Sequence, residues 1–275
     1  MAEDPPDQSL APPRGLSSER PSRETLLRHT RELRLAGKID ESYRAACAAL
    51  GGDGRIGSLT WQHHTLFWSD ITARTCILSR RGPGDLSFLR KVWQDRAFMQ
   101  QFHRQAAELP PSDERLCDVL RQEFAALLQE SKSLHWIVRD RGGCPQGLLS
   151  LVDISLQHRK AEVLLGVLPG ARFGLATAAM LMLVQFYFKA MRFHKLYSLV
   201  YPDNQRSLES TLHLGFRIEG RLKGEVLDPV SGSYCDLIRT GLLAEDAWTP
   251  GNLRLMERLL RSAVQTQEPS HKPSR

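Results

Sequence analysis

The sequence lacks any pair of cysteines spaced like the ligands of a metal site. Its five cysteines are odd in number and lie far apart, at Cys47, Cys76, Cys117, Cys144 and Cys235. Scattered single cysteines are typical of free or buried thiols in a reducing compartment, and not of a disulfide framework or a zinc domain. The pattern therefore predicts no metal centre.

Long hydrophobic runs are also missing. The longest apolar stretch, residues 175–188, is broken by Thr177 and Gln185 and is shorter than the roughly 20 residues that a membrane helix needs. The segment 1–15 is acidic and rich in proline, and no apolar segment follows it, which argues against a signal peptide. These absences predict a soluble, cytoplasmic protein without a membrane partner.

A strong excess of one charge is absent as well. Lysine and arginine number 37 against 31 aspartate and glutamate residues, which gives a formal net charge of +6. The positive charges are spread along the chain, so they do not predict a nucleic-acid partner. A basic rim around a polyphosphate ligand is an equally good interpretation.

Composition divides the chain into four segments. Residues 1–22 are rich in proline and poor in bulky apolar residues, which predicts a disordered tail. Residues 23–70 are predicted to form a helical extension that begins with a helical hairpin over 23–50. Residues 71–246 carry the main domain, and residues 247–275 a C-terminal helix and a second disordered tail.

Hydrophobic periodicity in the main domain alternates between strand and helix patterns. Helices are predicted over 85–103, 112–131, 175–188 and 253–267. Strands are predicted over 75–80, 134–140, 146–155, 161–169, 195–202, 216–228 and 233–243. This order predicts a mixed α/β sheet that is mostly antiparallel, with one right-handed parallel crossover where the long helix joins 161–169 to 195–202.

Residues 170–188, GARFGLATAAMLMLVQFYF, place a glycine-containing turn directly before the most apolar helix. Such a turn directs several backbone N–H groups at one point, and the helix N-terminus adds a partial positive charge. This combination binds phosphate without a catalytic lysine. We therefore predict that a phosphate-bearing ligand lies beside this strand-turn-helix unit.

A second motif, NQRSLESTLHLGF, spans residues 204–216, and its Gly215-Phe216 ends a helix and begins a strand. With SGSYCDLIRTGLL and its Asp236, the two motifs resemble the GNAT acyltransferase superfamily over about residues 74–246. The resemblance is nearest to the branch of the ribosomal-protein N-terminal acetyltransferases. It implies a GNAT fold, a mixed and mostly antiparallel sheet with a splayed strand pair and flanking helices.

The resemblance also implies acetyl-CoA, or another acyl-CoA, as co-substrate. Its pyrophosphate would lie on the turn formed by Arg172, Phe173, Gly174, Leu175, Ala176 and Thr177. Its pantetheine arm would pair with the strand end near Val167 and Leu168, and Asn204 and Ser207 would lie near the thioester. Ala171 stands where the family pattern has arginine or glutamine.

Acyl transfer to an amine needs a base for the substrate ammonium and a proton for the leaving thiolate. Thr211 stands where many relatives have a tyrosine acid, so Ser207 is the implied proton donor, with water as the alternative. Glu225 is the implied catalytic base, although it is one residue out of step with the family's glutamate, and one step reverses the face of a strand. Glu162 and Asp153 are further candidates for the base.

We therefore predict an acyl-CoA-dependent N-acyltransferase that transfers acetyl to an amine. The acceptor is a protein N-terminus, a small metabolite or an amino-sugar nucleotide. Two alternatives stay open: a binding or scaffold protein that kept the fold and lost the chemistry, and an acyltransferase with a carrier-protein or long acyl-CoA donor. A homodimer is compatible with each of these interpretations.

Overall fold

The computed structural model describes residues 23–36, 70–104, 108–126, 131–228 and 231–260, together with positions 38, 41, 42, 44, 45 and 106. Its helices are α1 (Arg23–Leu35), α2 (Leu86–Gln94), α3 (Arg96–Phe102), α4 (Asp113–Ala125), α5 (Leu175–Gln185), α6 (Gln205–His213) and α7 (Pro250–Leu260). Its strands are β1 (Ile71–Thr72), β2 (Ile77–Arg80), β3 (Leu134–Arg139), β4 (Pro145–Ser155), β5 (Lys160–Val167), β6 (Lys195–Val200), β7 (Arg217–Leu227) and β8 (Tyr234–Leu243). A π turn, Phe186–Ala190, extends α5.

The single helix predicted over 85–103 is wrong, because the chain forms two helices there, α2 and α3. Asp95 separates them with a ψ angle of 90°, and its carboxylate accepts the backbone N–H of Phe98 at 3.0 Å. An aspartate that caps the next helix takes a non-helical conformation, so it also ends the helix before it.

The N-terminal extension is described only in part. Helix α1 confirms the first helix of the predicted hairpin, and it packs against α4. The hydroxyl of Ser42 donates to the carbonyl of Thr30 at 3.0 Å, so the chain turns back towards α1 after it ends. Most of residues 37–69 and both predicted disordered tails lie outside the described residues, and the segment boundaries stay predictions.

The described strands form one sheet in the order β1-β2-β3-β4-β5-β6-β8-β7. Among the described strands, only β5 and β6 are parallel, because α5 carries the chain back across the sheet between them. The other neighbouring strands are antiparallel. The predicted mixed, mostly antiparallel sheet is therefore confirmed, and β8 lies between β6 and the edge strand β7.

Each face of the sheet is covered by helices. On the first face, α5 is buried without interruption from Ala178 to Val184 and packs on β3, β4 and β5. On the second face, α2, α3 and α4 pack over Ile137 and Leu148. Even α5 is too short to cross a membrane, and no other described helix is long and apolar enough to do so.

Candidate active site

Strands β5 and β6 form a fork. They pair over three positions only, which are Lys160 with Lys195, Ala161 with Leu196, and Glu162 with Tyr197. Beyond Glu162, β5 continues to Val167 and β6 to Val200 without further pairing between them. The predicted splayed strand pair is confirmed, and Glu162 and Tyr197 mark its closed end.

The free edge of β5 faces the gap of the fork. The N–H of Leu168 donates to the carbonyl of Gln146 at 2.7 Å, so the backbone groups of Leu168 and of every second residue before it point towards β4. By that alternation the backbone groups of Val163, Leu165 and Val167 point towards β6. Val167 therefore offers its backbone to the gap, whereas the N–H of Leu168 is already bound by β4, and the pairing of these residues with a pantetheine arm stays a prediction.

The glycine turn lies at the open end of the fork. Gly174 is the N-cap of α5 and has a φ of 84°, a left-handed value that favours glycine. The N–H of Leu175 is bound by the carbonyl of Arg172 at 3.1 Å, and the Leu175 side chain is buried in the core. The next two N–H groups, of Ala176 and Thr177, lie in the first turn of α5, where a helix supplies no backbone acceptor.

The side chains of Arg172 and Phe173 project from this turn. Both are exposed, and Phe173 is exposed completely. The arginine therefore supplies a positive charge beside the backbone N–H groups, although it occupies the position after the one in the family pattern. Open backbone N–H groups at a helix N-terminus, together with a nearby positive charge, suit an anionic group such as a phosphate.

Glu162 projects into the closed end of the fork. Its carboxylate accepts the backbone N–H of Leu199, a group that would face β5 if the parallel ladder continued. Burial raises the pKa of the Glu162 carboxyl to about 7. The bond from Leu199 lowers this pKa, the charge of Asp153 raises it, and the charge of Arg239 lowers it. Glu162 is therefore a carboxyl that can gain and lose a proton near neutral pH.

Tyr197 lies opposite Glu162 in the strand pair and contacts two charged side chains, those of Asp153 and Arg239. Its hydroxyl donates to Oδ2 of Asp153 at 2.6 Å, and the guanidinium of Arg239 lies over its ring at 4.4 Å. Burial, and then the bond to Asp153, raise the pKa of the Tyr197 phenol, so its hydroxyl stays protonated. Asp153 has a φ of 47° and lies where the register of β4 shifts, and this β-bulge delivers its side chain to Tyr197.

A second bulge delivers Glu219 to the same place. The register of β7 shifts between Ile218 and Gly220, and the Glu219 carboxylate lies over Gly241, where no side chain could fit. It binds Nζ of Lys195 at 2.5 Å and Nε of Arg239 at 3.4 Å. Sequence reasoning missed Tyr197, Glu219 and Arg239, because their contacts arise from strand pairing and from the bulges that deliver Asp153 and Glu219, neither of which shows in the alternation of a single strand.

Asn204 and Ser207 lie at the start of α6, directly after β6. Oδ1 of Asn204 accepts the N–H of Ser207 at 3.2 Å, so Asn204 is the N-cap and the half-buried Ser207 hydroxyl is free of that role. Nδ2 of Asn204 donates to the carbonyl of Gln101 at 3.4 Å. Thr211, in the position of the relatives' tyrosine, is buried.

Glu225 lies on the exposed part of β7, where the register shifts again between Leu222 and Val226. Asp236 braces this hairpin, since it accepts the N–H of Gly224 at 2.8 Å and Nε of Arg221 at 2.6 Å. The fork therefore brings Glu162 and Asp153 together and leaves Glu225 in solvent. Within the described part of the chain, no three acidic, histidine or cysteine side chains are arranged to hold a metal ion.

Comparison with known proteins agrees with this fold. Residues 77–217, just over half of the chain, match the family described as "Acetyltransferase (GNAT) domain", and the chain belongs to this family. The resemblance found in the sequence is thereby confirmed at the level of the superfamily. Acetyl-CoA is the co-substrate that this family uses.

The similar proteins include several polyamine acetyltransferases. A spermidine N(1)-acetyltransferase from Escherichia coli (strain K12) is 34% identical over 94 residues, which are 34% of this chain and 50% of that protein. The chain therefore spans about half the length of this relative. A spermidine N(1)-acetyltransferase from Vibrio cholerae is 24% identical over 161 residues, 58% of this chain and 88% of that protein.

The fold is also that of a solved enzyme. The structure of a spermidine N-acetyltransferase from Vibrio cholerae, in complex with CoA and spermine, superposes with a TM-score of 0.53 at 23% identity. The superposition covers 62% of this chain and 96% of that chain. It confirms the GNAT fold.

Proposed function

We propose that this protein is an acetyl-CoA-dependent N-acetyltransferase in which Glu162 is the general base. The observation that carries the proposal is the position of Glu162, at the closed end of a fork whose β5 edge is unpaired with β6. A neutral amine nucleophile must form before acyl transfer, and a carboxyl with a pKa near neutrality accepts and releases protons efficiently. The exposed position of Glu225 makes it the weaker candidate.

The residues present fit acetyl-CoA. The turn Arg172–Thr177 would hold the pyrophosphate by backbone N–H groups and the Arg172 charge, and the β5 edge from Val163 to Val167 would pair with the pantetheine arm. The bound co-substrate supplies an acetyl group on a thioester. Glu162 takes one proton from the acceptor ammonium, and the neutral nitrogen attacks the thioester carbon, so that the new N–C bond replaces the C–S bond. The nitrogen then releases its second proton to water, and the thiolate takes a proton from water or from Ser207, whose hydroxyl regains a proton from water.

We propose a polyamine of the spermidine class as the acceptor. The relatives' names support this class. Charge supports it too, because Glu219 binds both Lys195 and Arg239, which leaves the carboxylates of Asp153 and Glu162 to attract a cation. The protein N-terminus, which the ribosomal branch implies, and the amino-sugar nucleotide are the alternatives.

A panel of acceptors decides between these classes. Free-thiol release from acetyl-CoA is measured with spermidine, butylamine, a peptide with a free N-terminus and an amino-sugar nucleotide. We expect the highest kcat/KM with spermidine. Acetyl-CoA binding without thiol release for any acceptor would instead support the binding protein that the sequence left open, and the same assay with long acyl-CoA tests the alternative donor.

The pH dependence of transfer provides a test of the base. Activity needs the ionised form of Glu162, so kcat/KM should rise with pH through a midpoint near 7. Asp153→Asn removes a charge that raises the Glu162 pKa, so the midpoint should move to lower pH. Arg239→Met removes a charge that lowers this pKa, so the midpoint should move to higher pH. Dividing each variant's profile by that of the wild type cancels the titration of the acceptor, and shifts of the same sign would contradict the assignment.

Ser207→Ala tests the proton donor. If the hydroxyl protonates the leaving thiolate, the single-turnover rate should fall about tenfold or more while the Kd of acetyl-CoA stays the same, because the interaction strengthens as charge develops on sulfur. Since Asn204 supplies the helix cap, the melting temperature should change little. A folded variant with the wild-type single-turnover rate would assign the proton to water.

A further inference from the structure

Helix α3 and the residues that follow it lie across the fork, and we call residues 96–104 the α3 strut. One end of the strut rests on β5. Phe98 and Phe102 stack on each other with ring centroids 5.7 Å apart, and they lie against Gly166. A β-carbon at Gly166 would come within 2.9 Å of the Phe98 ring and 3.0 Å of the Phe102 ring, so these two rings pack directly on the β5 backbone.

The other end of the strut holds the segment after β6. Nη2 of Arg104 donates to both carboxylate oxygens of Asp203, at 2.8 and 2.7 Å, and its guanidinium lies 3.9 Å from the centre of the Tyr201 ring. Nε of Arg104 donates to the carbonyl of Gln100 at 2.9 Å, which fixes the guanidinium to the end of α3. The bond from Asn204 to the Gln101 carbonyl joins the same two segments.

The strut therefore contacts both strands of the fork. Its aromatic rings pack on β5, and Arg104 binds Asp203 and Tyr201 just after β6, an interaction that we call the Arg104 clasp. Two parallel strands already paired at three positions can continue to pair, because further steps would satisfy the β5 backbone groups that face the gap, although the Leu199 N–H of β6 is already bound by Glu162. We infer that Arg104 is a positioning residue that holds the β6 arm away from β5, through α3, and keeps the β5 edge open for the arm of acyl-CoA. This inference rests on the proposed function, because it assigns the gap to the acyl-CoA arm.

The Arg104 clasp sets the separation of the two strands and contributes little to the free energy of folding. The Arg104 side chain is 15% exposed, but that of Asp203 is 67% exposed, and ion pairs so open to water contribute little to folding. Loss of the clasp should therefore leave the fold intact and change the width of the fork. A prearranged groove binds more tightly than one that the ligand must open, so the effect should appear in ligand affinity.

The test measures CoA binding by calorimetry and backbone hydrogen exchange in the ligand-free protein. Arg104→Met and Asp203→Asn should each raise the Kd of CoA about tenfold and speed exchange in residues 199–204. The double variant should be no weaker than either single variant, because both remove one interaction. Arg121→Met is the matched control, since Arg121 makes an exposed ion pair with Asp118 on α4, and it should leave the Kd unchanged.

Each outcome bears on the inference. Folded Arg104→Met and Asp203→Asn proteins with the wild-type Kd of CoA would overturn it, even if exchange became faster, because the clasp would then be structural only. If Arg104→Met fails to fold, Asp203→Asn, which keeps the size of the side chain, decides alone. If the wild-type protein does not bind CoA, the proposed function fails, and unchanged exchange in residues 199–204 would then overturn the strut as well.

Discussion

Replacing Glu162 by glutamine should lower kcat/KM for acetyl transfer by about 10²–10⁴-fold, the usual contribution of a positioned base. Glutamine keeps the size and the hydrogen-bond acceptor of the side chain, so the Leu199 N–H remains bound. The Kd of acetyl-CoA should stay within about twofold, because the carboxylate acts on the acceptor and not on the donor. The measurements are steady-state kinetics with spermidine and calorimetry with acetyl-CoA.

Stability gives an independent check on the same variant. The Glu162 pKa in the folded protein is about 7, above the value of 4.5 for a free glutamate, so the folded state binds the proton more tightly. The destabilisation from the buried charge grows as pH rises from 4.5 to 7 and is complete above 7. Glu162→Gln removes it, so the melting temperature at pH 8 should rise. A drop in activity with a raised melting temperature could not come from misfolding.

Glu225→Gln is the matched control for the base. Glu225 lies in solvent on a bulged part of β7, so its amide variant should keep wild-type kinetics. If Glu225→Gln lost activity and Glu162→Gln kept it, the assignment of the base would be wrong. The two variants together separate the glutamate implied by the resemblance from the one in the fork.

The fold could be predicted from the sequence largely because its signals are local. Alternating residues indicated the strands, and the apolar helix between 161–169 and 195–202 implied the parallel crossover that the structure has. The break at Asp95 was missed, although aspartate before a helix start is a recognisable cap. The hydrophobic face of α2 and α3 hid the break, since both helices bury apolar residues.

The candidate site also contains features that could be predicted from the sequence and features that could not. The glycine turn was predictable, because the left-handed Gly174 and the first turn of α5 are neighbours in sequence. The choice between Glu162 and Glu225 was not, because it depends on register and on bulges that only pairing with other strands reveals. The clasp of Arg104 on Asp203 joins residues 99 positions apart, and no local pattern connects them.

Replacing Gly174 by glutamate should weaken CoA binding by about 100-fold or more while the protein stays folded. The new carboxylate would lie at the N-terminus of α5, where it would occupy the N–H groups and repel the pyrophosphate. Among the described residues, a β-carbon at this position meets only Leu259, at 3.7 Å, which is an ordinary contact. The φ of 84° adds strain of about 1–2 kcal/mol, which a folded domain can tolerate.

Gly170→Glu separates the charge at the ligand site from the strain. Gly170 also has a φ of 84°, and it belongs to the same loop but not to the first turn of the helix. A β-carbon there would have no atom of the described residues within 4 Å. The substitution introduces the same charge and a comparable strain four residues before the N-cap. We expect the Kd of CoA to rise much less than in Gly174→Glu, and we expect Gly174→Ala, which has strain without charge, to lie between them. Equal losses in the two glutamate variants would show that strain or net charge, and not the α5 N-terminus, controls binding, and the pyrophosphate would then have to lie elsewhere on the protein.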